Sequence, residues 1–257
     1  MAELVDALGL GSSVFMTWRF KSSYRHLWAI SSAVEHLVYT EIVTSSILVS
    51  PMENYQIHTW FPVPVYATVL EDYNPQSIID SLEKPSDDNP NYFGDSREVT
   101  QVHHRKEFLW LNEQIKFHTT QYLADIGAES IHNIAVQKSW AVILSENGSV
   151  NIHNHPNSHL SCVFYPKSSS GKISFYREYH PLKHLPISYK THNDYSYDWC
   201  SYEPLDGMLL IFPSTLKHGV SNHQDSDLRY SISYDLILTT DKPHENTVLS
   251  PENWLFL

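Results

Sequence analysis

Downstream of Gly127 the chain breaks into short apolar runs, and these leave little choice of architecture. Residues 131–136, 139–144, 160–164, 172–176, 208–212 and 228–238 are rich in β-branched, aliphatic and aromatic side chains, and Gly, Pro, Asn, Asp and Ser separate them. Runs this short bury their apolar faces by pairing into sheets. Many short strands with turn signals between them predict a mainly β domain, a sandwich or jelly roll, whose core spans about residues 131–240. Residues 181–202 interrupt this pattern with a long segment rich in Tyr, His and Asn. A loop of that length in a compact β domain is expected to serve the site, as a lid or a substrate-side insertion.

The region upstream predicts flanking helices. Residues 59–70 are aromatic and β-branched, but Pro62 and Pro64 restrict them to an edge strand. Residues 74–82 suit a short capped helix, and residues 84–96 a polar loop. Over residues 102–123, Phe108, Leu111, Ile115, His118 and Tyr122 recur at three- and four-residue spacing, which predicts an amphipathic helix with His118 satisfied on its apolar face. The first 51 residues have a different texture. Residues 2–13 and 31–51 resemble the peptides produced when transfer-RNA genes are translated, so the expected division is a non-native extension over 1–51 and one domain over 52–257, starting at Met52. The competing expectation for 1–51 is a short helix or strand that docks on the domain.

Composition removes several classes of partner. The formal net charge is -12 and no run of Lys or Arg stands out, which disfavours a nucleic-acid backbone. Only two cysteines occur, Cys162 and Cys200, so a disulfide scaffold is not expected and a reducing, cytoplasmic setting is the simpler one. No stretch approaches about eighteen consecutive apolar residues, and a membrane-spanning helix is not expected.

The chemistry concentrates in Asn-Ile-His-Asn-His-Pro-Asn-Ser-His, residues 151–159. Residues i and i+2 of a strand share a face, so His153 and His155 would present two imidazoles side by side, half of a transition-metal site. Taken singly, each is more readily a solvated loop histidine, and the His-x-His spacing brings the two readings level. A third imidazole, His218, follows the turn Pro213-Ser214, and antiparallel pairing in a double-stranded β-helix can bring such distant strand ends together. Farther on, Arg229, Ser231 and Ser233 share one strand face. A guanidinium on an inner face needs an anion, and its planar fork suits a carboxylate; a structural salt bridge is the plainer alternative. Trp140 could line the same pocket or be plain core.

Together these motifs resemble a known family. His153-x-His155-Pro-Asn-Ser, Leu160-Ser161-x-Val-Phe-Tyr165, Gly207-x-Leu-x-x-Phe-Pro-Ser-x-x-x-His218 and Arg229-x-Ser231-Ile-Ser-Tyr stand in the order found in the 2-oxoglutarate- and iron(II)-dependent oxygenases. The similarity is greatest to the branch that opens with a Phe-Pro-x-Pro-x-Tyr segment, here residues 61–66, and it runs from about residue 60 to 238. The resemblance implies a double-stranded β-helix of the jelly-roll, cupin-like kind with N-terminal helices on its flank. It implies His153, His155 and His218 as iron ligands. It implies Arg229 on the far carboxylate of 2-oxoglutarate, with Ser231 assisting and Tyr165 in the same pocket. His159 falls outside the ligand set, as a supporting or surface residue.

The implied activity is hydroxylation of a small molecule or peptide with dioxygen, releasing succinate and carbon dioxide. His155 stands where most of the superfamily has Asp or Glu, which leaves the site one unit more positive and bears on its metal and potential. A three-histidine zinc hydrolase, a cupin-type dioxygenase that needs no 2-oxoglutarate, and a non-catalytic β-sandwich binding module are the rival readings.

Overall fold

A computed structural model describes residues 61–82, 92–93, 101–128, 133–167, 170–180, 187–193, 195–241, 249–255 and 257. The extension expected over 1–51 and the start at Met52 lie outside these residues, as do residues 181–186 of the central insertion. In chain order the elements are β1 (Tyr66–Val69), α1 (Pro75–Asp80), β2 (Tyr92–Phe93), α2 (Leu109–Asp125), β3 (Asn133–Leu144), β4 (Val150–His153), β5 (Leu160–Phe164), β6 (Ile173–Tyr176), β7 (Trp199–Tyr202), β8 (Met208–Pro213), β9 (His218–Val220) and β10 (Arg229–Thr239).

The strands form two antiparallel sheets. The larger runs β1-β8-β5-β10-β3-β2 and the smaller β4-β9-β6-β7. Their inner faces pack on each other through Val163, Tyr165, Leu210 and Phe212 of the larger sheet and Ile173 and Phe175 of the smaller. Trp140, Val142 and Leu144 meet Val150 and Val220 beside them. This is the mainly β, double-stranded β-helix architecture the sequence predicts. The outer face of the larger sheet carries the second core, where Ala141, Ile143, Cys162, Phe164, Ile211, Ile232 and Tyr234 are covered by Leu111, Ile115, Tyr122 and Leu123 of α2. Because both faces of this sheet are covered, β5 is buried along its whole length, and its one polar residue, Ser161, lines the inner cavity.

Several expectations change in detail. The helix expected over 102–123 begins later. Val102–His104 and Lys106–Phe108 are separate 3-10 turns, because Arg105 between them is extended (φ -85, ψ 145), and the α-helix starts at Leu109. The short helix is present, with Asn74 accepting hydrogen bonds from the amides of Gln76 and Ser77. β1 is an edge strand paired only with β8, and Pro62 and Pro64 fall in the segment just before it.

The runs expected as two strands over 131–136 and 139–144 are one strand. The pairing of β3 with β10 shifts between Asp235 and Leu236, so that Lys138 opposes Asp235 while Val136 opposes Leu236. That bulge changes the phase of the alternation and turns Val136 and Ile134 toward the α2 core. The last four residues of the expected lid, Trp199–Tyr202, form edge strand β7. Within the polar loop, Tyr92–Phe93 pairs with β3. Among the described residues no helix is long and apolar enough to cross a membrane. Cys162 and Cys200 are both free thiols, the first buried and the second exposed.

The turn expected at Asp206-Gly207 clips β1 to β8. Gly207 lies at φ +76, its carbonyl accepts from the amide of Leu70 at 2.8 Å, and its amide donates to the carbonyl of Tyr165 at 2.9 Å. A β-carbon there would stand 2.3 Å from the Leu70 carbonyl oxygen. Gly207→Ala is therefore expected to destabilise the fold by more than the ~1 kcal/mol of an ordinary glycine replacement, read as a lower denaturation midpoint at unchanged slope.

Candidate metal centre

Strand register assembles the three histidines. In the antiparallel pairing of β4 with β9, His153 lies directly opposite His218, which is how two residues so far apart in sequence become neighbours. His155 follows in the turn after β4 rather than in the strand, and its amide is held by the carbonyl of Ser214 at 2.8 Å. The expected side-by-side placement of His153 and His155 thus holds, with ring centroids 5.0 Å apart, although a strand end and a turn produce it. One nitrogen from each of His153, His155 and His218 lies within 4.8 Å of the others. Among the described residues this is the one group of three His, Cys, Asp or Glu residues able to hold a metal ion.

Each ring is oriented by a hydrogen bond from its other nitrogen. Nδ1 of His153 bonds the carbonyl of Asn151 at 2.7 Å, Nδ1 of His218 bonds the carbonyl of Leu216 at 2.9 Å, and Nδ1 of His155 bonds Oδ1 of Asp235 at 2.6 Å. Carbonyl and carboxylate oxygens only accept, so each Nδ1 carries a proton and, in the neutral ring, each Nε2 keeps its lone pair. This is the second layer that aims a metal-binding imidazole. His218 is buried against Phe212 and Phe175. Burial pushes its imidazole down to about 4; the hydrogen bond to Leu216 opposes that shift and the neighbouring histidines reinforce it. It therefore stands neutral at pH 7, as a metal ligand must.

The same cavity holds the other candidates. It is lined by Trp140, Val142, Tyr165, Phe212, Arg229 and Ser231 as well as the three histidines. Arg229 is fully buried. Its Nε donates to the Gly171 carbonyl at 3.2 Å, one terminal nitrogen to Ser231 Oγ at 3.2 Å and the other to Tyr165 Oη at 3.4 Å. The guanidinium also lies over the Tyr165 ring, 5.1 Å from its centroid. No carboxylate pairs with Arg229 among the described residues, which answers the salt-bridge alternative. A buried guanidinium with neutral partners and unused donors has the chemistry to receive an anion.

Trp140, left between pocket and core, lines the cavity with its ring 5.4 Å from that of His155. The structure separates His159 from the triad: it is exposed, and its Nδ1 accepts from the amide of Leu238. His118 is half-buried and bonds the Tyr66 hydroxyl through Nδ1 at 2.8 Å.

Sequence reasoning missed Asp235. It continues the face of Arg229, Ser231 and Ser233 by two more residues, a signal the alternation already carried.

Comparison with known proteins agrees with this chemistry. Residues 138–235 match the family described as "Putative 2OG-Fe(II) oxygenase", a span that contains all three histidines, Tyr165, Arg229 and Ser231. The β core is therefore similar to that family over these residues. Among solved structures, the β core resembles an oxidoreductase of the 2OG-Fe(II) oxygenase family from Burkholderia pseudomallei, at 12% identity and a TM-score of 0.39 over 58% of this chain and 65% of that one. It also resembles HygX from Streptomyces hygroscopicus with nickel, 2-oxoglutarate and hygromycin B bound, at 11% identity and 0.46 over 68% and 82%. A prolyl-4-hydroxylase from Pseudomonas putida follows at 14% and 0.35 over 53% and 69%. No curated protein matches the chain significantly.

Acid should weaken the metal-free protein through His218. Its folded value, about 4, lies below the ordinary 6.5, so the unfolded chain binds the proton first. The stability His218 contributes is complete above pH 6.5 and decays as pH falls toward 4. The melting temperature of the metal-free protein is expected to drop across that window, and His218→Phe should flatten the profile.

Proposed function

We propose that this chain binds iron(II) at His153, His155 and His218 and 2-oxoglutarate at Arg229, and that it hydroxylates a small organic substrate or a peptide side chain. The observation that carries the reading is a fully buried guanidinium without an acidic partner among the described residues, in the same cavity as three imidazoles that each present a free Nε2. The donor set fits a divalent first-row metal. Iron(II) held there supplies the oxygen chemistry that couples decarboxylation of 2-oxoglutarate to succinate and carbon dioxide with insertion of one oxygen atom into a substrate C–H bond.

The protein's own part is placement and exclusion. Arg229 would receive the far carboxylate of 2-oxoglutarate on its planar fork, with Ser231 and the Tyr165 hydroxyl completing a polar end to an otherwise apolar cavity. Burial pushes the Tyr165 phenol up, and the adjacent guanidinium partly opposes that shift, which supports a neutral hydroxyl donor beside the carboxylate. Trp140, Val142 and Phe212 wall the cavity against water. The free thiols of Cys162 and Cys200 support a reducing compartment such as the cytoplasm.

The test is anaerobic reconstitution with iron(II), followed by titration with 2-oxoglutarate while recording visible absorption and succinate. A charge-transfer band on addition of 2-oxoglutarate and iron-dependent succinate are expected. Arg229→Ala should lose about 2–5 kcal/mol of 2-oxoglutarate affinity, roughly thirtyfold or more. Arg229→Lys should recover little of it, because an ammonium lacks the fork. Tight zinc binding with hydrolytic activity and no succinate would favour the hydrolase reading instead.

A further inference from the structure

The three imidazoles are not held alike. His153 and His218 donate their Nδ1 protons to neutral peptide carbonyls, whereas His155 donates to the carboxylate of Asp235, at 2.6 Å. That carboxylate is itself fixed. Asp235 lies opposite Ser161 in the pairing of β10 with β5, and Ser161 Oγ donates to the same oxygen, Oδ1, at 2.9 Å. Ser161 also bonds Ser214 Oγ at 2.9 Å, and Ser214 in turn bonds Ser158. These hydroxyls tie the turn that carries His155 to the strand that carries its partner. With its side chain only 12% exposed, Asp235 is largely withdrawn from solvent.

No lysine or arginine pairs with Asp235 among the described residues. Lys138 stands opposite it on β3, yet its ammonium rests over the Trp140 ring, 4.6 Å from the centroid. A largely buried carboxylate whose partners are one imidazole and one hydroxyl is directed at that imidazole. A purely structural hydrogen bond to His155 could come from a carbonyl, as it does at the other two histidines.

We propose that Asp235 is a positioning residue that restores, through His155, the negative charge that an all-histidine ligand set lacks. It holds His155 with Nε2 toward the metal and, by polarising the Nδ1–H bond, makes that nitrogen a stronger donor. The charge that a carboxylate ligand would place on the metal is thereby moved one imidazole outward. The inference rests on the reading of the triad as the metal site.

Cobalt(II) binding and the midpoint potential of bound iron test it without recourse to turnover. Asp235→Asn keeps the size and an acceptor oxygen and removes the charge; Asp235→Ser is a second neutral variant should the first not fold. Metal-free protein, checked by near-UV circular dichroism, would be titrated with cobalt(II) against a competing chelator. The iron(II)-loaded protein would then be titrated redox-wise without oxygen or 2-oxoglutarate. The neutral variant is expected to bind cobalt(II) 10- to 100-fold more weakly, with the iron potential raised. Asp235→Glu should recover part of both, because it keeps the charge. Affinity within twofold of wild type, or an unmoved potential, overturns the role of Asp235 while leaving the metal site standing. A wild-type protein that binds neither metal sinks the reading of the site and this proposal with it.

Discussion

Strand β10 holds the structure together in the literal sense. It is paired on both sides, with β3 and with β5, at the centre of the larger sheet. Its alternation divides the protein's work. Ile232, Tyr234 and Leu236 face outward into the core closed by α2, while Arg229, Ser231, Ser233 and Asp235 face inward. Slipping this strand by one residue would exchange the two sets, placing a guanidinium and a carboxylate under α2 and apolar residues in the cavity. Register is therefore specified by both layers at once, and the site inherits its precision from the packing behind it.

The inward face is an electrostatic arrangement inside a largely apolar cavity. Arg229 brings a positive charge at the start of β10, and Asp235 a negative one six residues later beside the imidazoles. Among the described residues neither meets a lysine, arginine, aspartate or glutamate of opposite charge: Arg229 meets a carbonyl and two hydroxyls, Asp235 an imidazole and a hydroxyl. Buried charges without partners cost stability. A cavity that keeps two of them apart, with neutral donors and acceptors around each, has the layout of a place where a dicarboxylate and a cation could both be received.

Much of this was legible in the chain and some was not, for identifiable reasons. β5, β8 and β10 were plain because strands covered on both faces, or alternating cleanly, write that pattern into the sequence. β3 looked like two strands because the bulge opposite Asp235 and Leu236 reverses the alternation partway along. The ends of the insertion hid β7, whose residues Trp199 and Cys200 are exposed and carry no burial signal. His153 and His155 announced themselves by spacing, and Arg229 by sitting among inward-facing serines. Asp235 did not, because its importance lies in a ring that the sequence places 80 positions away.

The sequence by itself determined which segments pair and which side chains share a face, since alternation and turn residues are local properties of the chain. It also determined the inventory of the site: three imidazoles, one guanidinium and their serines. Only the tertiary structure decided that His218 lies across from His153, that each Nδ1 is occupied so that each Nε2 is free, and that one of those bonds ends on a carboxylate. Those facts depend on the register between strands far apart in the chain. Register is set by how the two sheets and α2 pack together, which no single segment contains.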